Sequence, residues 1–240
     1  VALQRKQHHP SSQVLTQSLY ELGNAYRLEK QFPEARKCLE EALELCRAAK
    51  ADNHLQVRIL ARLARVLRAQ GNTLGAAKCY RHVCQMQEEA AGPENPELVS
   101  SLMEYGEALE LSNKLTEAQK CFIRALNLEK KLGLEEGRLG TLHYRIGSIS
   151  RTLGEHEQAL EAFKAAMSAD SRQYGNHHPD VARDLLGMGL IYRDMGDTSR
   201  AVGNIMKSLS IYEEDLGKYH PQTIEARNTL EALGDSEIET

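Results

Sequence analysis

Residues 178–197 read HPDVARDLLGMGLIYRDMGD. Within them Val181, Leu185, Met188, Gly189 and Tyr192 recur at three- and four-residue spacing, which places them on one face of a helix. Pro179 suits the first helical turn, where its missing N–H costs little. Gly196 suits a left-handed stop, and Asp197 or Thr198 can cap whatever follows. A second helix is predicted from about Ser199 to Leu216, with Ala201, Ile205, Ser208, Leu209 and Tyr212 inward. Gly217 stops it, and His220-Pro221 opens the next segment. The stretch therefore predicts two helices joined by a tight turn, with small Gly189 opposite small Ala201 where they cross. A bulky residue there would force the helices apart.

The same plan recurs along the chain. Ala35, Ala76, Ala118, Ala159 and Ala201 stand 41, 42, 41 and 42 residues apart. Twelve positions before each comes a small residue: Gly23, Ala64, Gly106, Gly147 and Gly189. Five positions before each comes Lys30, Gly71, Asn113, Gly154 or Gly196, which suits a left-handed cap in every case except Lys30. Four positions after comes a bulky apolar residue: Leu39, Tyr80, Phe122, Phe163 or Ile205. Self-similarity at such a period marks a repeat solenoid. The units are 13–53, 54–95, 96–136, 137–178 and 179–220. Residues 1–12 read as the tail of a preceding helix or linker. Residues 221–234 read as one capping helix, about Gln222 to Leu233, carrying Ile224, Arg227, Leu230 and Leu233. Residues 235–240 form an acidic, frayed tail. The fourth unit departs from the pattern by placing His143 where the others have leucine, a buried histidine satisfied within the core.

Composition agrees with helices and excludes several function classes. The 240 residues are 41% hydrophobic and 5% aromatic, without tryptophan. A net charge of −4 is too small to imply nucleic acid or an anionic surface as an obligatory partner. No apolar run is long enough to span a bilayer, and VALQRKQHHP is no signal peptide. The chain lacks an initiator methionine and reads as an excised segment. Cys38, Cys79 and Cys121 share one repeat position, roughly a helix-pair spacing apart, about 10 Å or more, which is too far for a disulfide. They read as small residues buried between repeats, in a reduced, cytoplasmic setting.

A small residue, an aromatic three later, glycine seven later and alanine twelve later (Gly189, Tyr192, Gly196 and Ala201; Gly23, Tyr26 and Ala35) resemble the tetratricopeptide repeat. The His-Pro pairs at unit starts and the strings SLSIYEEDLG and HPDVARDLLGMGLIYRDMGD resemble its kinesin light chain subtype, with repeats of about 42 residues rather than the usual 34. The second and fourth units lack the His-Pro, and the first carries His9-Pro10 three residues early. The resemblance implies an all-α fold, a right-handed superhelix of five helix-turn-helix units plus a C-terminal capping helix. It also implies that first helices line a concave groove, with the residues one and four after each small slot pointing inward.

Those positions hold Asn24 and Arg27, Arg65 and Arg68, Glu107 and Glu110, Ser148 and Arg151, and Leu190 and Arg193. Arg58 and Arg183 lie six residues before their slots on the same side. Arginine holds carboxylates or phosphates through a planar fork, so an acidic peptide segment of a protein partner can be clamped, with Tyr20 and Tyr144 as apolar or stacking contacts. The competing reading is that these arginines and glutamates pair with one another across neighbouring repeats. The expected peptide-binding residues are thus Tyr20, Asn24, Arg27, Arg58, Arg65, Arg68, Glu107, Tyr144, Arg151 and Arg193. The carboxylate clamp of chaperone-binding tetratricopeptide domains is disfavoured: Asn24 matches it, but Arg62 fills the second asparagine slot and Ser100 and Glu104 replace the basic pair.

No catalytic constellation stands out, and no cofactor is implied. Gly187-Met188-Gly189 lies inside an amphipathic helix, without the strand and loop of a dinucleotide site. His8-His9 and His177-His178 have no metal-selective spacing, and repeat-start turns explain them. A non-catalytic peptide-binding scaffold leads. A structural spacer or homodimerisation module and a regulatory sensor within a larger protein remain open.

Overall fold

The computed structural model describes residues 12–49, 53–133 and 136–238. The predicted tail at 1–8, His8-His9 and His9-Pro10 lie outside them. Among the described residues the chain is helical throughout: α1 Ser12–Leu28, α2 Phe32–Ala48, α3 Asn53–Ala69, α4 Thr73–Ala91, α5 Glu97–Glu110, α6 Leu115–Leu132, α7 Glu136–Thr152, α8 His156–Tyr174, α9 Pro179–Asp194, α10 Thr198–Asp215 and α11 Pro221–Ile238. The helices fall into two compact halves divided between Cys121 and Phe122. In the N-terminal half each of α1 to α4 packs on the next helix, and in the C-terminal half each of α7 to α10 does so.

The small slots do what their spacing predicts. All five period-marking alanines are fully buried. A Cβ added at Gly23 would lie 2.8 Å from Leu39 Cγ. One at Gly189 would lie 2.5 Å from Ile205 Cγ1, and one at Gly147 would lie 3.0 Å from Phe163. Each is tighter than ordinary side-chain contact, so the bulky residue of the second helix occupies the space that the missing side chain leaves. Gly187 plays the same part toward the preceding pair, where an added Cβ would meet the Phe163 ring of α8.

All five tight turns close in one way. Gly71, Gly154 and Gly196 have φ of 79°, Lys30 59° and Asn113 58°. In the last turn the Gly196 N–H bonds Arg193 C=O at 2.9 Å and the Asp197 N–H bonds Tyr192 C=O at 2.8 Å. These are the paired bonds of a Schellman stop, and they recur at Lys30 and Gln31. Lys30 was the one residue not expected to adopt the cap. It takes the left-handed conformation because the pair of backbone bonds outweighs the Cβ penalty. Two of the following helices start on side-chain caps, Asn72 accepting from Gly75 N–H and Asp197 from Arg200 N–H, each at 2.9 Å, whereas Gln31 and Glu155 make no such bond.

The His-Pro pairs acquire a specific role. His178 Nδ1 accepts the Asp180 N–H at 3.2 Å, and His220 Nδ1 accepts that of Gln222 at 3.4 Å. The imidazole is the N-cap and the proline fills the first helical position. His178 also stacks on Tyr174, ring centroids 4.3 Å apart. His143, expected in the core, is half-buried, and its imidazole is pushed down to about 4 by burial and by the nearby Lys130 charge. It is therefore neutral at physiological pH.

Three expectations are corrected. The last helix runs to Ile238, through most of the stretch read as a frayed tail. Its buried face is Thr223, Ala226 and Leu233, while Ile224 is 40% exposed. Ile224 occupies the position of Ala182, which is fully buried against α10, where Ser208 Oγ donates to its carbonyl at 2.6 Å. No described helix follows α11 to cover Ile224, and Glu231 stands in the small slot. Finally, Cys38, Cys79 and Cys121 are only partly buried, whereas Cys46 and Cys84 are the interior thiols. The repeat position of the first three lies at the edge of the helix contact.

One buried cluster has no counterpart in the sequence pattern. Asp184 of α9 is fully buried, and neither carboxyl oxygen meets a donor. Beside it Asp170 of α8 is also buried and accepts Arg183 Nη2 at 3.3 Å. Arg183 Nη1 is 2.6 Å from Asp180 Oδ1, so one guanidinium serves several carboxyls. Gly140 makes room beneath α7, because a Cβ there would overlap the Asp170 carboxylate. Burial, opposed by the Arg183 charge and assisted by those of Asp170 and Asp180, pushes Asp184 up to about 8. Two carboxyls can bond only if they share a proton, so Asp184 donates its proton to Asp170.

Candidate functional site

In the N-terminal half, Arg58, Arg62, Arg65 and Arg68 recur every three or four residues and form one stripe of α3. The stripe runs beside the buried stripe of Ile59, Leu63, Val66 and Leu67. On one side lies α1 with Tyr20, Asn24 and Arg27, and on the other α5 with Glu104 and Glu107.

The two sides differ in charge balance. Toward α5, Arg65 Nη2 meets Glu104 Oε1 at 2.8 Å, and Arg68 Nη1 meets Glu107 Oε2 at 2.8 Å and Glu104 Oε2 at 3.3 Å. The buried Tyr80 hydroxyl donates to Glu104 at 2.7 Å, and burial together with that bond holds its pKa far above the phenol range. These arginines are neutralised from within, as the cross-repeat pairing reading anticipated.

Toward α1 the contacts are neutral. The Arg58 guanidinium lies 4.8 Å from the centroid of the Tyr20 ring, and Arg62 Nε donates to its hydroxyl at 3.4 Å. Arg27 donates from Nη2 and Nε to Asn24 Oδ1, at 3.1 and 3.3 Å. Among the described residues none of Arg27, Arg58 and Arg62 forms an ion pair. Burial alone raises the Tyr20 phenol, yet the bonds and charges of Arg62 and Arg58 outweigh it and leave the pKa lowered. That is the signature of excess positive potential. Tyr20 is only 3% exposed and lies beneath Arg58, so it is a support for guanidinium groups and offers no open stacking face. A cavity of about 440 Å³ opens farther along the stripe, where Arg27, Lys30, Arg65 and Arg68 surround Leu28, Phe32 and Ala69.

In the C-terminal half a smaller cavity, about 150 Å³, lies among Tyr144, Ser148, Arg151, Arg183, Leu190 and Tyr212. Arg183 sits 4.1 Å from the Tyr144 ring centroid, and Phe163 meets the same ring edge-on at 5.6 Å. Arg151 Nε and Arg193 Nη2 converge on Asp194, at 2.7 and 3.0 Å. Despite its partial burial, those two arginines hold the Asp194 carboxyl below the usual range.

The structure thus brings Tyr20 to Arg58, Arg68 to Glu107, and Arg151 to Arg193 through Asp194, while Arg65 meets Glu104 instead of Glu107. Counting one and four residues after each slot missed Arg62 and Glu104, which lie two residues before their slots. The i, i+4, i+7 run from Arg58 through Arg62 to Arg65 was the signal available for Arg62. Among the described residues no group of three or more His, Cys, Asp or Glu side chains is arranged to hold a metal, and no helix is long and apolar enough to cross a membrane.

Comparison with known proteins places these features in a family. The family model described as tetratricopeptide repeat matches residues 15–89, 56–131 and 138–214. Protein KINESIN LIGHT CHAIN-RELATED 2 of Arabidopsis thaliana is 21% identical over 219 residues, which is 90% of this chain and 33% of that protein. The chain therefore spans about a third of this relative. Among solved structures, the kinesin light chain TPR-like repeats of Podosopora anserina superpose with a TM-score of 0.72 at 19% identity, covering 86% of this chain and 98% of that one. YrrB, described as a TPR protein with an unusual peptide-binding site, superposes with a TM-score of 0.62 at 16% identity, covering 88% and 90%.

Proposed function

This chain belongs to the tetratricopeptide-repeat family, and we propose that it is a non-catalytic interaction module that holds an extended, acidic segment of a partner protein along its first helices. The observation that carries this reading is the unequal charge balance of one arginine stripe. Arg65 and Arg68 are neutralised by Glu104 and Glu107, while Arg27, Arg58 and Arg62 face Asn24 and Tyr20 without a carboxylate among the described residues. A partner's Asp or Glu side chains supply the missing charge through forked hydrogen bonds. The segment passes Tyr20, Asn24, Arg27 and Arg58, and reaches Arg65, Arg68 and Glu107 by exchanging partners with the existing pairs. Tyr144, Arg151 and Arg193 form a separate and weaker site within the C-terminal half, since Asp194 already offsets part of their charge. The structural likeness to YrrB, a TPR protein with a peptide-binding site, supports the class of function.

The test is fluorescence anisotropy with degenerate peptide pools centred on glutamate or on serine. The glutamate pool is expected to bind more tightly, with an affinity that falls as salt rises. The double variant Arg58→Glu/Arg62→Glu is expected to weaken binding by about tenfold or more. Arg36→Glu on α2, which removes an exposed pair with Glu40, leaves it unchanged. Equal binding of both pools, or an unaffected double variant, overturns the assignment.

A further inference from the structure

Arg58 and Arg62 sit one helical turn apart on α3 and converge on a single neutral phenol. Most of their donors remain available: Arg62 directs Nε to the Tyr20 hydroxyl, Arg58 lies against the ring and shares that hydroxyl, and each guanidinium carries five N–H groups. Their setting differs from that of Arg65 and Arg68, where the fold supplies one glutamate for each guanidinium. By the same balance, Arg58 and Arg62 together call for about two negative charges at one point. A single carboxylate supplies one. Two carboxylates on successive peptide residues do not meet that need, because side chains of an extended strand alternate between faces. A phosphomonoester carries about −1.5 to −2 at pH 7 on three acceptor oxygens, which matches two forks and their charge on one anchoring atom.

From this geometry we infer that Arg58 and Arg62, braced on Tyr20, form a phosphate-binding subsite for a phosphorylated side chain of the bound segment. The inference rests on the peptide-binding reading above and sharpens it by naming the anchoring group. Tyr20 acts as a positioning residue. Its ring fixes one guanidinium and its hydroxyl the other, so both forks are held in place before the ligand arrives. Arg27, fixed by Asn24, adds positive potential from α1.

The probe is a set of three fluorescein-labelled pools of seven-residue peptides, identical except for a central phosphoserine, glutamate or serine. Binding is measured by anisotropy to the full chain. The phosphoserine pool is expected to bind about tenfold or more tighter than the glutamate pool, on the scale of charge-assisted hydrogen bonds. Arg58→Ala and Arg62→Ala each remove most of that preference while leaving the circular dichroism unchanged. Arg58→Lys retains charge but loses the fork, and keeps only part of the preference. Tyr20→Phe lowers it by a few fold without changing the affinity for the glutamate pool.

Each failure points somewhere different. If the glutamate pool binds as well as the phosphoserine pool, the phosphate subsite is wrong and the acidic-peptide reading stands. If neither exceeds the serine pool, both are wrong. A phosphoserine preference that survives both arginine variants overturns the location.

Discussion

Replacing Asp184 by asparagine is expected to stabilise the C-terminal half, and by an amount that grows with pH. In the native state Asp184 is fully buried, with Asp170 of α8 beside it. Asp180 and Arg183 come from its own helix, and Tyr144 of α7 and Tyr212 of α10 lie nearby. Its proton is held to about pH 8, whereas the unfolded chain releases it near the ordinary 3.8. Between those values the native state binds more protons than the unfolded one, so stability falls as pH rises. At about 1.4 kcal/mol per pH unit the penalty reaches roughly 4 kcal/mol at pH 7, and it levels off at about 6 kcal/mol above pH 8. Asparagine keeps the size, carries no charge, and can donate an N–H to Asp170. Urea unfolding followed by circular dichroism at pH 5 and pH 8 provides the assay. The parent chain should lose several kcal/mol between the two, and Asp184→Asn should lose much less and exceed the parent at pH 8 by about 2–4 kcal/mol. Parallel pH profiles for the two proteins would refute the buried, protonated pair.

Three further outcomes follow from the packing and the turns. Gly189→Val drives a side chain against Ile205 Cγ1, 2.5 Å from where its Cβ would sit, and should cost about 1–3 kcal/mol in the same unfolding assay. Lys30→Gly relieves a left-handed φ of 59° and should raise stability by about 0.5–1 kcal/mol, the Cβ strain removed being partly offset by glycine's greater freedom in the unfolded chain. Glu104→Gln weakens its bonds with Arg65, Arg68 and the buried Tyr80 hydroxyl, and should cost about 1–2 kcal/mol. The same change unbalances the stripe toward positive charge, so anisotropy should show tighter, more salt-sensitive binding of the glutamate pool.

The helix pairing was legible because the crossing of two helices admits only a small residue, and it does so at a fixed phase. Gly23 against Leu39, Gly147 against Phe163 and Gly189 against Ile205 all stand where the spacing put them. The left-handed turn is nearly as legible, since four of its five positions hold glycine or asparagine; Lys30 had to be found from its backbone bonds. The last helix misled because its phase was taken from apolar residues alone. With no described helix beyond it, Ile224 lies exposed where Ala182 is buried.

The candidate site was legible only as a set of arginines on the first helices of the pairs. Which of them are balanced depends on residues about forty positions away, Glu104 for Arg65 and Asp194 for Arg151. The periodicity constrains side chains at the helix crossings and is silent about those that reach between repeats. Tyr20 and Tyr144 looked like contact surfaces, yet each lies under an arginine from another helix. The Asp170–Asp184 pair arises in the same way, from acids on α8 and α9 that only packing brings together. By itself, then, the sequence determined that the chain is a tetratricopeptide array and which faces its paired helices bury, because packing volume repeats with the period. The tertiary structure alone decided which charges are cancelled within the fold and which are not, because Coulomb energy depends on distances between repeats.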